Sequence, residues 1–293
     1  MADLSWDFYV TQFIAGLSIS MFLFLIASGL SLILGVMGIV NFAHGSFYMI
    51  GSYLVWYLAV SIGMDFWLAV IAASVTLALI GSLLQKFLIS RLYGQPELQL
   101  LFTFAFVLIF SDIIKMTFGV LPKGVGYPKL FTGIFEVGPI SFPKYHIFII
   151  VLGPIIAYLL HLAEQRTRIG RVIRAASLNR EMVATLGINT KRVFTIVFGF
   201  GAFLAGLGGA LASPIASIAP GMDIPIVLPA FVAVVVGGLG SFGGTFLACL
   251  LIGQVDVFGI LLLPRLAESF IFILMLIILI VRPWGLSNKP PKV

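Results

Sequence analysis

The sequence predicts an all-α integral membrane protein with about eight membrane-embedded helices, some broken or re-entrant, and three observations carry that prediction. Of the 293 residues, 61% are hydrophobic and 10% charged, and the mean hydropathy is +1.17. A soluble domain must show water a far more charged surface. Apolar runs of about 20 residues, each enough to cross roughly 30 Å of hydrocarbon as helix, fill nearly the whole chain and leave no stretch for a soluble domain. The third observation is where the charge sits. Residues 166–192 hold seven of the 17 basic residues and one of the 11 acids, Glu181, so this short segment carries the whole net charge of +6.

Taken in order, the apolar periodicity predicts embedded helices at 12–38, 42–62, 66–89, 98–119, 146–163, 193–213, 226–263 with a break, and 266–281. The chain is read as one membrane domain over 1–293, with 164–192 as its loop on the cytoplasmic side. A short loop this basic is cytoplasmic by the positive-inside rule, and Lys86, Arg91, Arg282, Lys289 and Lys292 fit the same side. The start, "MADLSWDF", carries Asp3 and Asp7 and no basic residue, which argues against a cleaved signal peptide, and counting back from the basic loop places this end outside. Counting crossings then leaves the C-terminus on the wrong side unless one segment fails to cross. "VLPAFVAVVVGG" is therefore expected to be a half-helix that enters from outside, turns at "GLGSFGGT" and returns as 244–263. Non-helical backbone at membrane depth is tolerated only against protein or a water-filled cavity. Lys115, Lys123, Lys129 and Lys144 fall outside in this scheme, against the charge rule.

The motifs narrow the chemistry. Gly238-x-Gly240-x-x-Gly243 has the spacing of a dinucleotide fingerprint but lacks the preceding strand and the later acid, so it reads as close packing around a backbone break. No P-loop pattern occurs. The single Cys249 offers neither a disulfide nor a cysteine metal site. No carboxylate pair, nucleophile triad or His-x-x-x-His spacing suggests catalysis or a metal. Asp112 and Lys115 stand at i,i+3 and can pair; Asp256, beside Gln254, falls near the outer end of the returning segment. The stretch "NFAHGS" places Asn41, His44 and Ser46 between two apolar runs, and "GLGSFGGT" places Ser241 and Thr245 at the expected break. Half-helix ends present unpaired N–H groups and serve as substrate contacts in transporters. These five residues are the candidate substrate path, with hydrogen-bonded packing as the alternative.

Within the basic loop, Asn179 is placed to cap a helix of about two turns that Gly187 ends. Met182, Val183 and Leu186 are expected on one side of it, as an apolar patch amid charge. Such a patch serves to lie on anionic lipid or to dock in a partner's groove.

Three stretches, "GVMGIVNFAHGSFYMIGSY", "TRIGRVIRAASLNREMVATLGINTKRV" and "VVVGGLGSFGGTFLACLLIG", in this order and over this length, resemble the permease subunits of ABC importers for hydrophobic amino acids. The chain is most similar to the smaller of the two permeases of branched-chain amino acid uptake. The resemblance implies the importer-permease fold, in the bacterial inner membrane. It also implies four kinds of partner: a second homologous permease, two cytoplasmic ATPase subunits, a periplasmic binding protein and membrane lipid, with no nucleic acid. No cofactor is expected in this chain, since ATP would be bound by the ATPases. Arg174, Asn179, Glu181, Met182, Val183, Leu186 and Gly187 would form the coupling element, although Met182 and Val183 replace the two alanines of the usual E-A-A-x-x-x-G signature. An ion-coupled secondary transporter and a passive channel for a small neutral solute remain the alternatives.

Overall fold

The computed structural model describes residues 6–138 and 140–287; Asp3, Lys289 and Lys292 lie outside them. Eleven α-helices follow one another along these residues: α1 (Trp6–Met37), α2 (Ala43–Val55), α3 (Phe66–Phe87), α4 (Pro96–Phe118), α5 (Lys144–Arg166), α6 (Arg168–Leu178), α7 (Arg180–Thr185), α8 (Thr190–Ala212), α9 (Asp223–Gly237), α10 (Phe242–Leu262) and α11 (Ala267–Val281). Seven helical segments are long and apolar enough to cross a membrane. To these α2 is added, because it continues without interruption as a π-helical stretch, Trp56–Ser61.

The longest helix is also the axis of the bundle. α1 has 32 residues, about 48 Å at 1.5 Å per residue, and is buried almost continuously from Ser20 to Ile33. A helix apolar all round is one that is covered all round, and α5, α8, α9 and α10 cover it. α1 begins at Trp6 rather than near 12, because the aromatic and apolar run "WDFYV" is already helical, with Asp7 in its first turn, where the dipole favours a negative charge.

Close approach depends on glycine. A Cβ on Gly29 would lie 2.5 Å from the Gly201 carbonyl oxygen, and one on Gly51 2.5 Å from that of Gly206, so α1 and α2 can seat against α8 only with bare backbone at these points.

The same neighbours give the helix directions. Gly29 meets Gly201 while Leu25 meets Gly208, so α1 and α8 are antiparallel. Gly81 meets Ala202 while Leu77 meets Gly206, so α3 and α8 are antiparallel as well. α9 starts beside Gly45 in the middle of the bundle and runs toward the end where α1 stops, where Gly240 touches Gly35. α10 returns along α1, past Ser31 and then Ser20, and α11 packs antiparallel to α10 through Ala267 and Gly259. The expected half-helix and return are therefore present, with the break at residues 238–241. Gly238 and Gly240 hold φ of +97° and +78° there, the left-handed region that favours glycine.

One face of the bundle now gathers the C-terminal ends of α1, α3, α5, α9 and α11, the start of α8, and both α6 and α7. α6 is a helix that the sequence reading left inside a loop: Thr167 caps it, accepting from the Gly170 N–H at 3.0 Å. At the opposite face, the α4–α5 connection carries a short hairpin, β1 (Ile134–Val137) paired antiparallel with β2 (Ile140–Pro143), which was not anticipated. Lys123 exchanges both backbone hydrogen bonds with Ile218, at 2.8 and 3.0 Å, and lays its ammonium 4.8 Å over the Trp56 ring. The outer connections are thus stitched together by backbone pairing and one cation–π contact.

Candidate translocation path and coupling surface

α2 does not start where α1 ends. The chain folds back over residues 38–42, so that His44 lies level with Ile26 and Gly29. Its Nε2 donates to the Ile26 carbonyl at 2.9 Å, which places the ring proton on that nitrogen, and Nδ1 has no partner among the described residues. Asn41 is fully buried, and neither of its amide atoms is hydrogen-bonded among the described residues. Ser46, also buried, donates to Asp223 Oδ2 at 2.9 Å, while Asp223 Oδ1 accepts nothing among the described residues. Each unpaired buried polar group costs about 1–3 kcal/mol. Three of them meet here, where α2 and α9 both begin.

Asp223 is the residue that sequence reasoning missed. Starting the half-helix at 226 left this acid in a loop; the structure opens α9 with it and buries it to 1% exposure. The available signal was an acid placed just before Pro225 and an unbroken apolar run. A cavity of 160 Å³ adjoins it, lined by Phe42, Phe104, Val107, Asp223, Ile224, Val227 and Leu228.

The other two path residues lie at the far end of α9. Ser241 caps α10, accepting from the Gly244 N–H at 3.1 Å, and Thr245 donates to Ser31 Oγ at 3.2 Å. Asn41, His44 and Ser46 therefore gather at the start of α9, and Ser241 and Thr245 at its end. No hydrogen bond joins the two groups, and α9, with 15 residues, separates them by about 22 Å at 1.5 Å per residue.

At the basic face, the cap and stop signals read from the sequence are both present. Asn179 Oδ1 accepts from the Met182 N–H at 2.9 Å, and Gly187 ends the turn at φ +80°. Glu181 stands exposed in the first turn of α7. Met182 and Leu186 project outward at 62% and 74% exposure, but Val183 is 3% exposed. The expected three-residue patch is corrected to two: Val183 faces the opposite way and packs into the core, anchoring the knob that Met182 and Leu186 form. Arg174 is a strut, its guanidinium donating to the Glu164 carbonyl at the end of α5.

What ties this knob to the bundle was not legible locally. The Arg180 guanidinium lies 4.5 Å from the Tyr93 ring centroid and 5.1 Å from that of Phe194. Tyr93 follows α3, Phe194 begins α8, and Gln85 of α3 donates to the Tyr93 hydroxyl. Burial pushes the Tyr93 phenol up to about 12, so the ring stays neutral beneath the cation. The Asp112–Lys115 pair does form, at 3.0 Å, with both side chains exposed.

A polytopic bundle with a half-helix broken at depth, buried polar groups at both ends of that half-helix and an exposed knob at one face defines a membrane transport permease. The chain belongs to the family described as branched-chain amino acid transport system / permease component, which matches residues 12–279. It is similar to the high-affinity branched-chain amino acid transport system permease protein BraD of Pseudomonas aeruginosa, 29% identical with 96% of each chain covered. It is also similar to LivH of Escherichia coli K12, a permease of the same description, 27% identical over 97% of this chain and 96% of the relative. A probable branched-chain amino acid transport permease LivH of Methanocaldococcus jannaschii is 27% identical over 91% and 88%. No solved structure matches the chain.

Proposed function

We propose that this chain is the membrane-spanning subunit of an ATP-driven importer that carries branched-chain or closely similar amino acids into the cytoplasm. In this reading it pairs with a second, homologous permease in the bacterial inner membrane, rests on two cytoplasmic ATPases that bind the ATP, and receives substrate from a periplasmic binding protein. The observation that carries the reading is the α7 knob. Two exposed apolar side chains, Met182 and Leu186, stand on a basic face and are braced to α3 and α8 through Arg180, which suits a helix that takes a push from a partner and passes it to the bundle. The names of the relatives supply the substrate class. Asn41, His44, Ser46, Ser241 and Thr245 line the route, where small and polar groups offer a zwitterion weak successive contacts.

The test is uptake by proteoliposomes holding this chain, its partner permease, the ATPases and the binding protein, with a panel of labelled amino acids. Accumulation should require ATP and the ATPase subunits and should survive an uncoupler. Uptake that persists without the ATPases and collapses with the uncoupler would make the chain a secondary carrier, and equilibration without accumulation would make it a channel.

A further inference from the structure

We propose that the Asp223 carboxylate is the counter-charge that receives the ammonium group of a zwitterionic amino acid part-way through the bundle, an assignment that rests on the transport reading above. An ionisable group at membrane depth is expensive and is kept where it serves transport or finds a partner. Asp223 has little of the latter. Among the described residues the only ion pair joins Lys115 to Asp112, and Asp223 takes part in none. Its place in the first turn of α9 suits the positive end of the helix dipole, but the carboxylate does not cap the helix: the cap position is Met222, and no side-chain bond is made to the helix N–H groups there. Ser46 holds Oδ2 at 2.9 Å and leaves Oδ1 without a donor. A buried oxygen of this kind, oriented by one hydroxyl and otherwise unmatched, is complementary to a cationic donor.

The surroundings select which cation. The 160 Å³ cavity beside Asp223 is walled by Phe42, Phe104, Val107, Val227 and Leu228, all apolar. A bare metal ion would find one carboxylate and hydrocarbon, too few oxygen ligands to replace its water. An alkyl-ammonium matches both parts, an aliphatic chain for the apolar wall and a charge for Oδ1, which is sealed from the cavity in this conformation and is reached when the start of α9 moves. Ser46 is then a positioning residue, and the position is poised for brief contact because nothing else holds the guest.

The electrostatic claim is tested with the assembled transporter carrying Cys249→Ala and Ser46→Cys, probed with a cationic aminoethyl and an anionic sulfonatoethyl methanethiosulfonate. After correction for their rates on a free thiol, the cationic reagent should react faster by about tenfold or more, the scale on which a charged cleft concentrates a counter-ion. Asp223→Asn should abolish that preference. In the transporter with native Ser46, Asp223→Asn should lower leucine uptake at least about tenfold with assembly intact, Asp223→Glu should restore part of it, and Ser46→Ala should cost less than Asp223→Asn. Equal preference with and without the carboxylate, no labelling at position 46 in any nucleotide state, or wild-type uptake by Asp223→Asn would each overturn the assignment. Should the wild-type complex import no amino acid, the transport reading itself fails; should it import leucine and Asp223→Asn do so equally, only the counter-charge assignment fails.

Discussion

Arg180 shows how one side chain can join a surface helix to a membrane bundle. Its guanidinium lies against two aromatic rings from different segments, so a displacement of α7 is felt by the end of α3 and the start of α8 together. Removing it in Arg180→Ala should cost about 0.5–2 kcal/mol of cation–π interaction, read as a lower melting temperature, and should reduce the amino acid moved per ATP hydrolysed. Arg180→Lys should recover only part, because an ammonium is compact and strongly hydrated and lacks the planar guanidinium that suits aromatic faces. Gly187→Pro is expected to act through the turn, since proline is locked near φ −65° and the position needs +80°. Glu181→Lys reverses the charge at the start of α7 and should cost the fold only about 0.3–1 kcal/mol, yet lower transport-coupled ATP hydrolysis. Unchanged coupling in Arg180→Ala, Gly187→Pro and Glu181→Lys alike would remove the role assigned to this face. At this scale the sequence revealed what is local. The Asn179 cap and the Gly187 stop were legible because both signals lie within one helix, whereas the inward turn of Val183 and the contact of Arg180 with the Tyr93–Phe194 pair depend on residues outside that helix.

The helix that decides whether there is a path is α9. It begins at the buried Asp223 and ends at the glycine-rich break, and each of its ends carries one group of the path residues. Single cysteines at 41, 44, 46, 241 and 245, in a Cys249→Ala background, should be labelled by a small water-soluble thiol reagent to an extent that changes with nucleotide. If none is labelled in any state, the five positions do not line a water-accessible route. The break itself was legible, because a run of glycines with a cap-forming serine has few other uses at membrane depth. The start of α9 was not: an acid before a proline resembles a loop until Ser46 is seen to reach it from α2. The same limit hid α6, whose alternation of arginine and apolar residues "RIGRVIRAASL" has helical spacing but lies in a segment whose charge drew the attention.

For the molecule as a whole, the long apolar helices and the gathering of basic residues at one face were legible from apolar run lengths and the placement of charge, because a bilayer constrains both. At the other face, Lys115 pairs with Asp112 and Lys123 lies over Trp56. Burial falls steeply outward from α1, and α4 and α11 leave long rows of leucine and isoleucine exposed, among them Leu101, Leu108, Leu276 and Ile280, as helices facing lipid or another apolar chain do. One connection binds the ends of this arrangement together. After α11 the backbone returns, and the N–H groups of Leu286 and Ser287 donate to the carbonyls of Val236 and Gly237 at 2.8 and 3.3 Å, satisfying the last turn of α9. Because these residues leave the ribosome two helices after α9, the half-helix must wait, inserted but unfinished, until synthesis has passed α11. A chain cut after Arg282 should therefore insert normally and melt earlier, by about 1–3 kcal/mol for the two lost bonds, with a cysteine at 241 labelled in every nucleotide state. Synthesis of residues 286 and 287 would then be the event that completes α9, and chains terminated before them would reach the membrane with the end of the half-helix unpaired.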